Sequence, residues 1–284
     1  MKKVLITGAN SYIGQSVENW LLQTPEAFTV DTLDMVNPKW REFDFTPYDC
    51  IFHVAGIAHF SKDKSKKDLY YKINTDLTEE TAMKAKKAGV KQFIFMSSII
   101  VYGDSTKANR VITSDTQPNP SDFYGDSKLQ AEKRIIPLQD EQFKIVIVRP
   151  PMIYGRGSKG NYPRLAKLSQ KLPIIPDYKN ARSMLYIGNL CEFIKQIILN
   201  QSQGLFFPQN REYVSTSNMM EKIAKVHGRT PLKTTIFNPI INKMFFNDSV
   251  KKMFGNLTYE KELSEYEFEY SLYNFEKSIE ITEY

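Results

Sequence analysis

The first half of the chain alternates between short apolar runs and stretches whose apolar residues recur at helical spacing. Five runs have the length of a buried strand, at residues 3–7, 28–35, 50–54, 92–96 and 144–148. After the first run, Ile13, Val17 and Leu21 repeat at helical intervals, and residues 68–88 show a longer helical pattern. Strands that alternate with helices in this way predict an α/β fold with a doubly wound parallel sheet.

The hydrophobic pattern becomes less regular after residue 154. Residues 155–164 are basic and rich in glycine, which suits contact with a phosphate-bearing substrate. The later predicted elements are a helix at 189–199, a strand at 204–207, a helix capped by Ser217 that ends at Val226, and an amphipathic helix at 275–282. Residues 231–265 are aromatic, contain methionine and predict no clear element.

Composition places the chain among ordinary globular proteins. Its 284 residues are 42% hydrophobic and 25% charged, and no apolar run approaches the length of a membrane span. The N-terminal apolar run is too short for a signal peptide. The two cysteines, Cys50 and Cys191, lie in apolar contexts and predict reduced, buried thiols. We therefore expect a cytoplasmic protein with no membrane partner.

The charged residues and histidines predict neither nucleic acid nor metal as a partner. Four lysines cluster in one predicted loop, namely Lys62, Lys64, Lys66 and Lys67. Other charges alternate in sign, which indicates a solvated surface. The net charge of +6 suits an anionic small substrate. His53 and His59 lack the cysteine or carboxylate neighbours of a metal site, so we expect no metal.

A glycine turn joins the first predicted strand to the first predicted helix. Residues 8–14 read Gly-Ala-Asn-Ser-Tyr-Ile-Gly. In this context, backbone N–H groups at the start of a helix can bind a pyrophosphate, and glycine lets it approach closely. Ser11 occupies the position where such loops have their middle glycine, and its side chain would lie where the pyrophosphate approaches. The turn predicts dinucleotide binding, with Ser11 as a departure.

Acidic residues of the second predicted strand bear on the choice of dinucleotide. Asp34 follows Gly14 by twenty residues, where a carboxylate would bind the adenosine ribose hydroxyls and repel the extra phosphate of NADP. Asp31 is the competing candidate, and its other interpretation is a surface residue at the strand edge. Small residues at 55–56 would let a cofactor lie across the sheet edge. We therefore favour NAD over NADP.

A tyrosine and a lysine follow the fourth predicted strand. On a helix, Tyr124 and Lys128 lie one turn apart on the same face, where an ammonium group lowers the pKa of a tyrosine hydroxyl. Bringing that pKa close to neutrality requires about 3–4 kcal/mol of phenolate stabilisation. A serine of the upstream Ser97-Ser98 pair could hydrogen-bond an oxygen that changes between alcohol and ketone. The order of these motifs favours a catalytic role for the pair.

Taken in order, these motifs resemble the NAD-dependent epimerase/dehydratase family, the extended short-chain dehydrogenases/reductases that act on nucleotide sugars. The resemblance covers roughly residues 1–227, and it is carried by residues 7–14, 53–56, 97–103, 124–128, 149–155 and 182–190. It implies a Rossmann NAD-binding domain over 1–155, with 186–207 packing back onto it. A smaller C-terminal substrate-binding lobe would occupy 156–284, and a homodimer is common in this family.

Matching positions imply roles for particular residues. Tyr124 would act as acid and base, and Lys128 would tune its pKa and hold the nicotinamide ribose. Ser98 would orient the sugar C4 oxygen, whereas Ser97 would support the backbone. Arg182 would pair with the substrate diphosphate. The other substrate contacts implied are Lys159, Asn161 and Arg164. The cofactor contacts implied are Gly8, Asn10, Ser11, Tyr12, Ile13, Gly14, Asp34, Asp44, Phe45, Val54, Ala55, Gly56, Met96, Tyr124, Lys128 and Pro151.

Several activities are compatible with the resemblance. It implies a 4-epimerase that acts on a UDP-hexose or UDP-N-acetylhexosamine with tightly bound NAD. The alternative is a 4-keto-sugar reductase of polysaccharide synthesis, because residues 149–151, 159–162 and 182–186 also resemble that branch. A 4,6-dehydratase is less expected, since residues 98–100 offer no acidic pair. A non-catalytic dinucleotide sensor is a third interpretation, against which the intact serine, tyrosine and lysine argue.

Overall fold

A computed structural model describes residues 1–58 and 63–284; His59 and Lys62 lie outside the described residues. The chain divides into two compact units. The first comprises Met1–Gly103, Gln117–Pro150 and Leu190–Pro208, and the second comprises Asp104–Thr116, Pro151–Asn189 and Gln209–Tyr284. The chain therefore passes between the two units several times, and Leu190–Pro208 returns to the first unit.

The strands and helices are bounded as follows. In chain order, the strands are β1 (Lys2–Thr7), β2 (Phe28–Leu33), β3 (Cys50–His53), β4 (Gln92–Met96), β5 (Val111–Ile112), β6 (Lys144–Val148), β7 (Met152–Tyr154), β8 (Ile174–Pro176), β9 (Met184–Tyr186), β10 (Gly204–Phe206), β11 (Leu232–Thr234) and β12 (Thr258–Tyr259). The helices are α1 (Tyr12–Leu21), α2 (Lys67–Tyr70), α3 (Leu77–Lys87), α4 (Phe123–Ile135), α5 (Asn161–Ser169), α6 (Ile187–Leu199), α7 (Thr216–Val226), α8 (Asn238–Lys243), α9 (Asp248–Phe254) and α10 (Phe275–Glu283). A π-helical turn, Tyr71–Asp76, joins α2 to α3.

A six-stranded sheet forms the centre of the first unit. Its order is β10-β6-β4-β3-β1-β2, and every pairing is parallel. The predicted doubly wound parallel sheet is confirmed. The chain leaves β1 in one direction to form β2 and then crosses to β3 on the other side of β1. Such a switch point leaves a crevice at the carboxyl ends of the strands, where ligands of this fold class bind.

The apolar runs of the sequence form the core of this unit. Leu5, Ile51 and Phe93 are completely buried in the sheet, and they belong to one cluster with Ala82 of α3 and Ala131 of α4. Burying such a leucine, isoleucine or phenylalanine side chain stabilises the fold by roughly 1.5–3 kcal/mol. The small alanines let the two helices lie close to the sheet. The core therefore fixes α4, which carries Tyr124 and Lys128, against the sheet.

The second unit contains three two-stranded parallel pairings: β7 with β9, β8 with β11, and β5 with β12. The closing helix predicted at 275–282 is confirmed as α10. The predicted cap at Ser217 is wrong. Ser215 caps α7 by accepting a hydrogen bond from Asn218 N at 3.1 Å, whereas the Ser217 hydroxyl binds the backbone of Tyr178. In the parts of the chain that the structure describes, no helix is long and apolar enough to cross a membrane.

Candidate active site

The glycine turn after β1 lies at the switch point of the sheet. Gly8 has φ +96°, and a Cβ there would lie 2.8 Å from Ala55 N at the end of β3. A side chain would therefore clash with the neighbouring strand even if the backbone tolerated one. Asn10 also has positive φ, at 67°. The turn thus opens the backbone toward the carboxyl edge, where residues 54–56 follow β3.

Ser11 has a role that the glycine pattern did not reveal. Its backbone is extended, and its hydroxyl accepts a hydrogen bond from Gly14 N at 3.0 Å, so it caps α1. The first turn of α1 has no acidic residue, which leaves the positive end of the helix dipole uncompensated. The serine stabilises the helix start without removing its capacity for an anion. The turn and helix start fit a dinucleotide pyrophosphate.

The structure separates the two candidate aspartates. Asp31 lies within β2, where its carboxylate accepts a hydrogen bond from Tyr48 at 2.8 Å and pairs with Lys3 at 3.5 Å. Asp34 follows the last residue of β2 and is exposed. The backbone N–H groups of Gly8 and Ala9 both donate to the carbonyl of Leu33, which is the residue before Asp34. Asp34 therefore lies beside the glycine turn. Strand β2 ends at Leu33, two residues before the predicted end at Met35.

The other implied cofactor contacts differ in their exposure and in the hydrogen bonds that they already make. Asp44 is exposed and bonds the backbone and hydroxyl of Thr46, which lowers the pKa of its carboxyl group. Phe45 is buried in the core, and its backbone carbonyl already accepts a hydrogen bond from Tyr48 N at 3.2 Å. Pro151 belongs to the second unit. Sequence reasoning did not anticipate that the carbonyl of Met96 is already bonded within the protein, to Lys128.

A close approach of two backbones positions Tyr124 beside Ser98. Asp122 caps α4 by accepting from Gly125 N at 2.8 Å. A Cβ at Gly125 would lie 2.7 Å from the carbonyl oxygen of Ile100, so only glycine lets α4 contact the turn after β4. In that contact the Tyr124 hydroxyl is hydrogen-bonded to Ser98. The predicted serine and tyrosine are therefore brought together.

Lys128 is buried and lacks a carboxylate partner among the described residues. Its Nζ donates to the carbonyl of Met96 at 2.8 Å and lies 4.7 Å from the centre of the Phe95 ring. Burial lowers the pKa of Lys128 to about 8, and the charge of Glu132 partly opposes the shift. A Cβ at Gly56 would lie 3.2 Å from this Nζ, so the ammonium reaches the end of β3. The site holds a buried cation at the carboxyl edge.

The pKa of Tyr124 differs from the sequence-based expectation. Burial is the largest cause and raises it to about 12, while the hydrogen bond with Ser98 opposes the increase. The charge of Asp122 adds to the increase. The protein alone therefore does not bring the hydroxyl close to neutrality, because desolvation outweighs the groups that favour the phenolate. A ligand that brings positive charge is needed for that.

Asn74 is a buried polar residue close to Lys128, and the motifs of the sequence did not point to it. It is completely buried in the π-helical turn between α2 and α3. Its Oδ1 accepts from Ile57 N at 2.9 Å, and its Nδ2 donates to Ile57 O and Ser127 Oγ, both at 3.0 Å. It thereby ties the loop after β3 to α4. Because π-turns are absent from periodicity rules, the pattern predicted an uninterrupted helix over 68–88.

A second buried cluster lies one turn further along α4. The Glu132 carboxylate accepts hydrogen bonds from Arg149 at 3.0 and 2.5 Å, and from the Ser97 hydroxyl. The Arg149 guanidinium also donates to the Tyr102 hydroxyl at 2.6 Å. Ser97 therefore supports a carboxylate rather than the backbone that we expected. The paired charges fix the loops after β4 and β6 against α4.

In the second unit, Arg182 is a cation without a carboxylate partner in the described structure. One guanidinium nitrogen donates to the carbonyl of Gly255 at 3.1 Å, and Nε has no hydrogen-bond partner. Burial lowers the pKa of Arg182 to about 10. Asn161 begins α5 after Gly160, which has φ +97°, and no side chain caps this helix start. Two further predicted substrate contacts, Lys159 and Arg164, are exposed near it.

His53 is a satisfied core residue. Its ring nitrogens are hydrogen-bonded to the hydroxyls of Thr7 at 2.7 Å and Thr78 at 3.1 Å. Burial, with a smaller contribution from the Lys128 charge, lowers the pKa of His53 to about 3. Within the described residues, no group of three or more His, Cys, Asp and Glu side chains could hold a metal ion.

Comparison with known proteins agrees with this geometry. The model of the NAD dependent epimerase/dehydratase family matches residues 4–214. UDP-glucose 4-epimerase from Vibrio cholerae is 35% identical over 246 residues, which are 78% of this chain and 75% of that protein. N-acetyl-alpha-D-glucosaminyl-diphospho-ditrans,octacis-undecaprenol 4-epimerase from Escherichia coli O157:H7 is 33% identical over 223 residues, 71% of this chain and 64% of that protein.

A solved structure extends the similarity of fold over nearly the whole chain. The UDP-glucose 4-epimerase of Thermus thermophilus in complex with NAD has a TM-score of 0.73 and 17% identity, covering 99% of this chain and 97% of that one. At this identity the likeness concerns the fold alone. The family match, by contrast, covers most of the sequence and includes the glycine turn, Ser98, Tyr124 and Lys128. The chain belongs to the NAD dependent epimerase/dehydratase family.

Proposed function

We propose that this protein is a 4-epimerase of diphosphate-linked sugars, with a UDP-hexose or UDP-N-acetylhexosamine as substrate and NAD as tightly bound cofactor. One observation carries the proposal. The Tyr124 hydroxyl is hydrogen-bonded to Ser98, and the buried Lys128 ammonium, which no described carboxylate pairs, lies one helical turn away. A fold that only binds a dinucleotide could use Lys128 to hold the ribose, but it has no need for hydrogen-bonded serine and tyrosine hydroxyls beside that ammonium.

The chain's own residues supply the proton chemistry. Tyr124 would take the proton of the sugar C4 hydroxyl, and Ser98 would hold that oxygen through a hydrogen bond. The glycine turn and the start of α1 would hold NAD, which would supply the hydride acceptor and donor for the sugar C4 position. Lys128 would stabilise the phenolate by its charge. Tyr124 would then give the proton back to the oxygen after the keto-sugar has turned over.

The pKa values of Tyr124 and Lys128 indicate how far cofactor binding must lower the pKa of the tyrosine hydroxyl. The pKa of Tyr124 is about 12 and that of Lys128 is about 8. At neutral pH the lysine is therefore charged and the tyrosine is protonated. Lowering the pKa of Tyr124 from about 12 toward neutrality needs added positive charge near the hydroxyl. Each pKa unit corresponds to about 1.4 kcal/mol. The oxidised nicotinamide ring carries such a charge, so we expect proton transfer to depend on its presence.

Asp34 supports NAD as the cofactor. Its carboxylate is exposed beside the glycine turn at the carboxyl end of β2 and accepts a local hydrogen bond from Val36 N at 2.9 Å, whereas Asp31 is engaged by Tyr48 and Lys3. A carboxylate at that edge can accept two ribose hydroxyl hydrogen bonds and repels a 2′-phosphate. Replacing Asp34 with asparagine should narrow the preference for NAD over NADP. An unchanged preference, measured by dinucleotide titration, would contradict the assignment.

Arg182 supports a diphosphate in the substrate. An arginine that is desolvated and lacks a carboxylate gains most from an anionic ligand, and its planar fork suits phosphate oxygens. Asn161, Lys159 and Arg164 would add contacts near the uncapped start of α5. We expect Arg182→Met to raise KM by roughly 10–100-fold, with a smaller change in kcat. Arg211→Met, an exposed arginine of the same unit that lies outside residues 155–164, serves as the matched control.

The carrier of the diphosphate sugar is a further choice. The Escherichia coli relative has a name in which the sugar diphosphate is linked to undecaprenol rather than to a nucleoside. Arg182 would recognise the diphosphate of either carrier. A 4-keto-sugar reductase would use the same serine, tyrosine and lysine, since the hydride chemistry belongs to the cofactor. Product analysis must therefore separate the activities.

One experiment tests the proposal. Purified protein is denatured and any released dinucleotide identified; native protein is incubated with UDP-glucose, UDP-N-acetylglucosamine and a nucleotide 4-keto sugar, each with and without NADH. Recovered NAD, together with C4 epimers formed without added NADH, supports the epimerase. Reduction of the keto sugar at the expense of NADH alone supports the reductase. Cofactor binding with no sugar conversion would sink both and favour a dinucleotide-sensing regulator.

A further inference from the structure

The second unit exposes a run of apolar residues that its own core does not use. Residues 225–253 all belong to the described part of the chain, and none of them is buried. Large apolar side chains in this run have exposed fractions of 71% for Ile236, 59% for Ile240 and 79% for Phe246. Single exposed apolar residues are ordinary, but a contiguous group on a soluble domain marks an interaction surface.

These side chains follow the geometry of a helix. The 3-10 segment Thr235–Phe237 continues directly into α8. Ile236, Ile240 and Met244 are spaced at intervals of four, which places them along one side of such a segment. We call the set the α8 surface; it consists of Leu232, Ile236, Phe237, Ile240, Met244 and Phe246, all exposed. An amphipathic helix normally turns its apolar stripe inward, so this outward stripe is available to an external partner.

Basic residues outnumber acidic ones around the α8 surface. Residues 229–256 contain one acidic residue, Asp248, and five basic residues, namely Arg229, Lys233, Lys243, Lys251 and Lys252. Asp248 pairs with Lys251, and Glu221, from outside this range, pairs with Lys233. Asp177 also lies close, since its backbone carbonyl accepts a hydrogen bond from Asn238. Lys243 and Lys252 have no carboxylate within ion-pair distance in the described structure. This positive charge is available to an external anionic partner.

We propose that the α8 surface binds an anionic lipid bilayer at its interface. Apolar side chains at the tip of an amphipathic segment can enter the acyl boundary while flanking lysines meet acidic headgroups. A protein partner is less suited, because lysine is depleted at the centre of protein interfaces. Contact of this kind requires no spanning helix, so it differs from the expectation of no membrane partner, which considered only apolar runs of spanning length.

The proposal is independent of which sugar reaction the site performs, because vesicle binding is measured without substrate. It would, however, bring the protein close to a substrate carried on a polyprenol. Such a substrate has its diphosphate at the headgroup level of the bilayer. A surface that holds the enzyme there would raise the local concentration of that substrate by confining both to one plane.

Vesicle sedimentation tests the proposal with the full chain. Two vesicle types are compared: phosphatidylcholine alone, and phosphatidylcholine mixed with phosphatidylglycerol. We expect the protein to sediment with the mixed vesicles and to be released by salt. Ile236→Ser/Ile240→Ser should abolish binding, and Lys243→Glu/Lys252→Glu should weaken it at least about tenfold. The matched controls are Val36→Ser and Lys91→Glu, which change exposed residues of the first unit.

The outcomes divide clearly. Binding that depends on phosphatidylglycerol and is lost in the two α8 variants, but kept in both controls, supports the proposal. Equal vesicle binding by the isoleucine variant and the wild type overturns it, as does no binding to either vesicle type. A lipid-free dimer that the isoleucine substitutions convert to monomer overturns it as well and assigns the surface to self-association. Unchanged melting temperatures verify that the substitutions leave the fold intact.

Discussion

Helix α4 carries two buried ionisable groups, one turn apart, that have opposite surroundings. The carboxylate of Glu132 receives two hydrogen bonds from Arg149 and one from Ser97. The ammonium of Lys128 meets a backbone carbonyl and an aromatic ring, with no carboxylate at bonding distance among the described residues. Burying an unpaired charge costs free energy, so fold stability does not account for Lys128. A satisfied charge supports the architecture, whereas an unsatisfied one indicates a ligand site.

The largest expected effect concerns Tyr124, the acid and base of the proposed reaction. Tyr124→Phe removes the group that carries the proton but keeps the ring and its packing. We expect turnover to fall by about 10²–10⁴-fold, with the amount of recovered NAD unchanged. Tyr71→Phe is the matched control, because its hydroxyl bonds Asp126 at 2.5 Å in the same unit. Wild-type turnover from the Tyr124 variant would remove the catalytic assignment.

The second prediction concerns the buried ion pair between Glu132 and Arg149. Glu132→Gln leaves the Arg149 guanidinium buried beside a neutral amide. We expect the free energy of unfolding to fall by roughly 3–5 kcal/mol, measured by urea denaturation. Glu80→Gln is the control, since Glu80 makes a similar two-bond contact with Arg41 at the exposed surface and should cost about 1 kcal/mol or less. Equal losses in both variants would contradict the distinction.

Replacing Lys128 should change the free energy of unfolding in the opposite direction. Lys128→Met replaces a desolvated ammonium with an apolar side chain of similar length. Burial lowers the pKa of this lysine from 10.5 to about 8, so the charged form is disfavoured in the fold. We expect the free energy of unfolding to stay level or rise by up to about 3 kcal/mol, while activity and NAD affinity fall. A loss of stability comparable to that of Glu132→Gln would show that Lys128 is structural.

The smallest expected effect at neutral pH concerns His53, which senses the Lys128 charge. The pKa of His53 is about 3 in the fold against 6.5 for the free side chain. The unfolded chain therefore binds this proton more tightly, and the stability is fully present above pH 6.5. As pH falls from there toward the folded-state pKa, stability should drop by about 1.4 kcal/mol per unit.

Two variants isolate the His53 contribution. His53→Gln should flatten the loss of stability below pH 6.5, measured by denaturation at several pH values. In Lys128→Met, the pKa of His53 should rise, because the smaller of its two causes is removed. NMR titration of the His53 ring measures that shift. A steeper acid loss in His53→Gln than in the wild type would contradict the assignment.

Sequence patterns predicted those features of the structure that depend on contacts within a short segment. The strand boundaries at 92–96 and 144–148 were predicted to the residue, because each run is apolar after its first residue and ends before a change of pattern. The glycine turn and the Tyr124–Lys128 spacing are likewise properties of short segments. Ser11 shows the limit of such rules, since a glycine pattern marks it as a defect whereas the structure uses it as a helix cap.

The sequence by itself therefore determined the alternation of strands and helices, the position of the phosphate-binding turn and the pairing of a tyrosine with a lysine on one helix face. Only the tertiary structure decided which charges are satisfied. Arg149 meets Glu132 across 17 residues of chain, and Arg182 reaches Gly255 across 73. It also separated Asp31 from Asp34, and it made Asn74 a link between two elements. Such contacts depend on how distant elements pack and on desolvation, which periodicity and spacing along the chain do not encode.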